Sequence, residues 1–175
     1  DGTRKRIIDH TLGQIGIIND ESEATENNEF YIFSIHHHSH IVAANEIFKE
    51  NILFGAGLKM FRVICDKRYK KNFFSCTTHP HNTIMQFLSE TGIVGTLFYI
   101  MSLFYVLKYL FLNIIFNYKN SQNNLTKSRM FNLLALFIAL MPIIPSGNFF
   151  NNWISIVGFF PVGFYLLSIS KNNEY

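Results

Sequence analysis

From Gly92 to Phe116 the chain runs for about 25 residues with one charge, Lys108, long enough to cross a hydrocarbon core of about 30 Å. Backbone in lipid must satisfy its own hydrogen bonds, so this part of the chain is committed to helix. Lys108 sits far enough along to snorkel to the distal interface. Two more apolar segments follow, 130–145 and 153–169. The hairpin between the first two spans, residues 118–129, holds Lys119, Lys127 and Arg129 and no acid, which marks it as cytoplasmic. The His81 end of the first span then faces outward and the chain ends in the cytoplasm. Hydrophobic residues make up 49% of the sequence, but most of the charge precedes Gly92, so two environments are built into one chain. The fold class predicted is an all-α integral membrane protein: an extracytoplasmic helical loop lobe over 1–91, and three transmembrane helices within 92–170 at about 92–116, 130–145 and 153–169.

The net charge of +3 is modest and its Lys and Arg residues lie in short clusters with little aromatic interleaving, which argues against nucleic acid as a partner. Residues 1–19 begin with a basic cluster and continue with apolar positions at helical spacing, a short amphipathic helix interrupted by Gly13 and Gly16. Residues 20–29 hold five carboxylates and no apolar run, an acidic loop. Four histidines then fall in five positions, His36, His37, His38 and His40. Imidazole is a common metal ligand, but no Glu, Cys or Asp nearby completes a set, so a polar face turned to a cavity is favoured and no metal is assigned. From His40 to Asn51 the residues Ile41, Ala44, Ile47 and Phe48 form one helical face opposite Glu46, Lys49 and Glu50. Gly55 and Gly57 make a turn whose N–H groups can approach an anion, or a plain turn after a helix. Arg62 has the fork that suits phosphate, or is a surface charge. Cys65 and Cys76, the only two cysteines, flank a basic tip; in an oxidising compartment they suggest a disulfide, with two free thiols or pairing to a further part of the protein as alternatives.

The polar lobe meets the first span at His79-Pro80-His81-Asn82. Pro80 disfavours helix at His79, so a helix is expected to start just after it with His81 in its first turn, at the water–membrane boundary. Asn82, Gln86 and Ser89 then form a polar stripe beside an apolar one of Ile84, Phe87, Leu88 and Thr91. Glu90 either orients His81 or is a structural polar group, and Ser146 and Asn148 return to the same outer face.

The pattern His81-Asn82-x9-Gly92-x-x-Gly95, with the upstream segment Ala43 to Gly57, resembles the O-antigen ligase and O-antigen polymerase superfamily. The resemblance implies the C-terminal part of a polytopic glycosyltransferase of GT-C type in the bacterial inner membrane, inactive without its N-terminal transmembrane helices. It implies metal-independent, cofactor-free, inverting transfer of a glycan from undecaprenyl diphosphate to an acceptor hydroxyl of lipid A-core or of a growing glycan, at the periplasmic face. On it, His81 is the catalytic base and Arg62, His79, Asn82, Gln86, His37, His40, Gly55 and Gly57 line the substrate site. The family often has an Arg near the position of His37, and this sequence departs from that. Ligase and polymerase share the loop and differ in acceptor. A reading of another class, a non-catalytic metal-binding or transport protein, lacks a polar series through the spans to support it.

Overall fold

The computed structural model describes Ile8, Leu12 and residues 35–69, 76–117, 124–142 and 147–170. Among them lie five α-helices and no strand: α1 Ile35–Glu50, α2 Phe61–Ile64, which runs into a π-helical turn Cys65–Tyr69, α3 Thr83–Asn117, α4 Asn124–Ala139 and α5 Asn152–Ser170. Of the helix expected over 1–19 only Ile8 and Leu12 are described, both helical; the acidic loop 20–29, the tip beyond Tyr69, residues 118–123 and Ser146 lie outside the described residues.

The lobe is held by a small core. Ala43, Ala44 and Ile47 of α1 are fully buried against Phe61 and Cys65, with Met85 of α3 packed on the same cluster. Asn51 closes α1 by donating its N–H to Phe48 O and its side-chain amide to Ile47 O, taking up carbonyls that no later turn could reach. Cys65 and Cys76 form a disulfide, so the π-helical turn is tied to the strand of chain that leads into His79. Closing a loop this short stabilises the fold by about 3 kcal/mol in the chain-entropy model, and replacing both cysteines by serine is expected to lower lobe stability by that order. Alkylation without reduction, read by mass spectrometry, should leave both sulfurs unmodified; two alkylated thiols would contradict the structure.

Helix α3 carries both the site segment and the longest apolar run, and it is broken between them. Gly92 adopts φ +67°, ψ −165°, outside any helix. An unbroken helix would place the side chains of Phe87 and Tyr99, twelve residues apart, about 18 Å from each other along the axis. Their rings instead stack with centroids 4.6 Å apart. The break is filled by the segment after α1. In a helix Ile93 and Val94 would donate to the carbonyls of Ser89 and Glu90. Here Ala56 N and Gly57 N donate to Ser89 O and Glu90 O at 2.9 and 3.0 Å, while Ile93 N and Val94 N donate to Ile52 O and Leu53 O at 2.9 and 3.2 Å. Two helical bonds are exchanged for four with another stretch of main chain, and the carbonyls of Ser89 and Glu90 and the N–H groups of Ile93 and Val94 all keep partners. The chains approach so closely that a Cβ on Gly92 would lie 2.4 Å from Leu53 O and one on Gly55 2.3 Å from Glu90 C.

A second core joins α3 to α4 and α5 through Phe87, Tyr99, Val106, Leu133, Leu136, Leu140 and Tyr165. Tyr99 donates its hydroxyl to Leu140 O at 2.7 Å, just past the end of α4. Arg129 donates from Nε to Ser168 O at 3.2 Å, where the last carbonyls of α5 favour a cation. Elsewhere the helices present large apolar side chains outward, among them Phe98, Phe104, Phe111, Phe131, Ile138, Val157 and Phe160, as a lipid-facing surface requires. Among the described residues two helices are long and apolar enough to cross a membrane, Thr83–Ile115 and Asn152–Ser170. The expected third, 130–145, differs: the described helix is Asn124–Ala139, 16 residues or about 24 Å. Pro142 disfavours helix at Met141, and the helix stops before it.

Candidate active site

The segment entering α3 is fixed residue by residue. Pro80 is buried, and Thr77 Oγ1 donates to His79 O at 2.8 Å while Thr78 Oγ1 and His79 Nδ1 hydrogen-bond at 2.9 Å. His81 does not lie in the first helical turn as expected. It precedes the helix with φ +56°, the left-handed region, where residues other than glycine are uncommon and histidine is among the tolerated types. The reason is Asn82, whose Oδ1 accepts the Met85 N–H at 3.0 Å and whose carbonyl accepts Gln86 N: Asn82 is the N-cap, and the residue before a cap is free to leave helical geometry. A left-handed histidine costs on the order of 1–3 kcal/mol and persists only where its surroundings hold it.

Those surroundings are other imidazoles. The His81 ring centroid lies 4.1 Å from that of His79, 5.4 Å from His40 and 5.5 Å from His37; His37 and His40 are 6.4 Å apart. The two α1 histidines reach the cluster because positions i and i+3 share a helix face, whereas His36 is exposed. Burial first, and then repulsion from His81, His37, His36 and His79, pushes His40 down to about 4; burial, His81 and His36 also lower His37. At neutral pH these two rings are hydrogen-bonding groups more than charges, suited to hydroxyls rather than to a diphosphate. Among the described residues no group of three His, Cys, Asp or Glu side chains is arranged to hold a metal ion.

The sign of the pH effect follows. A histidine held neutral in the fold takes up a proton on unfolding, so stability is present above the unfolded value of 6.5 and is lost as pH falls from there toward about 4. Thermal melts in detergent should therefore drop over that window, and His40→Gln should flatten the dependence. An equally steep slope in the variant would show that His40 is not its source.

Below the cap, Gln86, Ser89 and Glu90 are all buried. Gln86 Nε2 donates to Asn148 Oδ1 at 2.8 Å and to Glu90 Oε2 at 3.2 Å, and its Oε1 accepts the Phe149 N–H at 3.0 Å. Glu90 Oε1 accepts the Phe61 N–H at 3.2 Å, at the first turn of α2. Asn82 Nδ2 donates to Pro142 O at 3.4 Å. The polar stripe thus ties α2, Pro142, Asn148 and Phe149 to α3, and the Glu90 carboxylate is engaged by Gln86 and the Phe61 N–H. Asn148 reaches the part of α3 that precedes Gly92. Gly55 N, Ala56 N and Gly57 N donate to Asn51 O, Ser89 O and Glu90 O, so of the two readings open for this turn, anion-binding or plain, the N–H groups here serve the backbone crossing. Arg62 stands exposed on α2. The Thr78 partner of His79 has no signal in the sequence; the Gln86–Glu90 pair had one, two polar residues at i, i+4 among apolar neighbours.

A family model described as O-antigen ligase matches residues 40–100, which take in α1 from His40 onward, the crossing segment, α2, the clustered His40, His79 and His81 but not His37, and the start of the apolar run. No curated protein and no solved structure matches the chain.

Proposed function

From the match of residues 40–100 to a family model described as O-antigen ligase, we propose that the chain belongs to the O-antigen ligase and O-antigen polymerase superfamily and has an O-antigen ligase-like activity. A glycan on undecaprenyl diphosphate is transferred with inversion to a hydroxyl of lipid A-core, or of a growing glycan, at the periplasmic face of the bacterial inner membrane. His81 takes the proton of the acceptor hydroxyl as its oxygen bonds to the anomeric carbon. The bond from that carbon to the phosphate oxygen breaks, and undecaprenyl diphosphate leaves with the electron pair. The reaction so written uses no metal or other cofactor. Arg62 is the proposed contact for the departing diphosphate, where charge grows in the transition state. The neutral His37 and His40, with His79, meet sugar hydroxyls. Asn82 and Gln86 position the site by anchoring its floor, and N-terminal transmembrane helices of the full-length protein complete it.

The observation that carries this reading is His81 itself. It is a histidine in left-handed geometry, between a buried proline and an N-cap, ringed by three imidazoles at the entry to the helix that carries the apolar run. The test is a transfer assay on the full-length protein in bilayers, with a lipid-linked donor and either lipid A-core or donor alone. A single addition to lipid A-core identifies a ligase, a ladder of lengthened donor a polymerase, and no transfer in either case defeats the proposal. The topology it needs puts Asn152→Cys outside and Lys127→Cys inside. An impermeant thiol reagent on intact cells should mark only the first, and marking of Lys127→Cys would invert the orientation.

A further inference from the structure

The segment that fills the break in α3 has an outer surface its packing does not use. Its backbone is committed to Ser89, Glu90, Ile93 and Val94, but its apolar side chains point away from both cores: Ile52 is 48% exposed, Leu53 62%, Phe54 74% and Leu58 59%. Four large apolar residues within seven positions are costly to leave in water, whereas elsewhere in the lobe Ala43, Ala44, Ile47 and Phe61 are fully buried.

The hydrogen bonds from Ile93 N to Ile52 O and from Val94 N to Leu53 O fix the height of this turn. It is level with the first residues of the apolar half of α3, where Ile93 and Val94 are exposed, and Leu97 and Phe98 one turn further on are more so. The apolar surface of the turn is therefore continuous with the lipid-facing surface of the span, at its outer edge. Lys59 follows directly after Leu58, and apolar side chains beside a cation are the pattern that settles at a headgroup boundary.

We propose that Ile52, Leu53, Phe54 and Leu58 dip into the outer leaflet of the bilayer and anchor the lobe there, with Lys59 at the level of the lipid phosphates. The occupant of this surface is lipid. The inference needs residues 93–117 to span the membrane and does not need the chain to transfer sugar, so its failure and that of the proposed activity are separable. Its consequence for the site is geometric: the mouth beside His81 is held against the membrane, where a lipid-borne substrate arrives without leaving its bilayer.

The test is nitroxide labelling of Phe54→Cys and Leu58→Cys in the full-length protein, in vesicles of phosphatidylethanolamine and phosphatidylglycerol, with unlabelled wild type as background. Both side chains are exposed, so neither change opens a core. Collision with oxygen, which partitions into lipid, is expected to exceed collision with a water-soluble nickel complex several-fold at both positions, as at Phe98→Cys. Lys49→Cys on the exposed side of α1 should show the reverse. Nickel accessibility at Phe54→Cys and Leu58→Cys equal to that at Lys49→Cys would mean that the turn stands in water. Low accessibility to both reagents would mean that another protein segment covers it. Either result overturns the proposal.

Discussion

Replacing His81 by alanine in the full-length protein is expected to slow glycosyl transfer by about 10²–10⁴-fold, the usual contribution of a positioned general base, with donor binding little changed. The expectation rests on geometry that singles out this imidazole. A residue that merely started the helix would occupy the cap, but Asn82 does that, through Met85 N. His81 is left with a strained backbone and a ring facing His37, His40 and His79. His81→Asn is the sharper control, since asparagine also tolerates the left-handed region and preserves the fold while removing the proton acceptor. Arg62→Ala should differ in kind, weakening donor binding as well as rate, because a diphosphate is charged before and during the reaction. The assay is donor binding and transfer measured side by side. Near-normal transfer by His81→Ala and His81→Asn would take His81 out of the mechanism.

Gly92→Ala is expected to destabilise the protein by more than about 4 kcal/mol, beyond the usual range for one substitution. The added methyl would stand 2.4 Å from Leu53 O and 2.5 Å from Gly55 N, both main-chain atoms held in hydrogen-bonded segments, and the backbone at φ +67° resists any side chain. Relief requires the crossing segment to withdraw, which breaks four hydrogen bonds at once. Gly55→Ala should fail in the same way, and the double variant should cost little more than either alone, because the same contact is already lost. Gly163→Ala, where a Cβ meets nothing within 4 Å, is the control. Thermal unfolding in detergent and protease resistance of the lobe measure the effect; a Gly92→Ala melt within a few degrees of wild type would show that the crossing does not hold the lobe.

The parts legible in the sequence were those written in composition and local spacing. The apolar run after Gly92, the helix from His40 toward Asn51 and the isolated pair of cysteines each have a one-dimensional signature, and the described residues include an apolar helix of spanning length after Gly92, α1 and the disulfide. What was not legible depends on partners far away in the chain. Pro80 alone suggests a helix from His81; the side chain of Asn82, reaching Met85 N, moves the start to Thr83. Gly55 and Gly57 have the composition of an anion-binding turn, and only the partners of the turn's N–H groups, Asn51 O for Gly55 and the distant Ser89 O and Glu90 O for Ala56 and Gly57, show where those donors go. Gln86 lies on the stripe expected to face His81 but is drawn to Asn148 and Phe149, residues beyond the end of α4. The 130–145 segment was read from hydropathy as a short span ended by its prolines, and the described helix there is Asn124–Ala139, which starts earlier and stops before Pro142.

The junction at Gly92 is made of main chain on both sides. Ile52, Leu53, Ala56 and Gly57 meet Ser89, Glu90, Ile93 and Val94 through amides and carbonyls, which every residue but proline supplies alike. Outside the two glycines and Glu90, whose carboxylate also accepts the Phe61 N–H, side-chain identity at these positions is therefore largely released from the task of joining lobe to span. Substitutions there can drift to suit a different lipid, neighbour or substrate while the joint stays intact. A lineage could thus re-dress the rim of this site repeatedly without re-engineering its hinge, with Gly55 and Gly92 as its two fixed points.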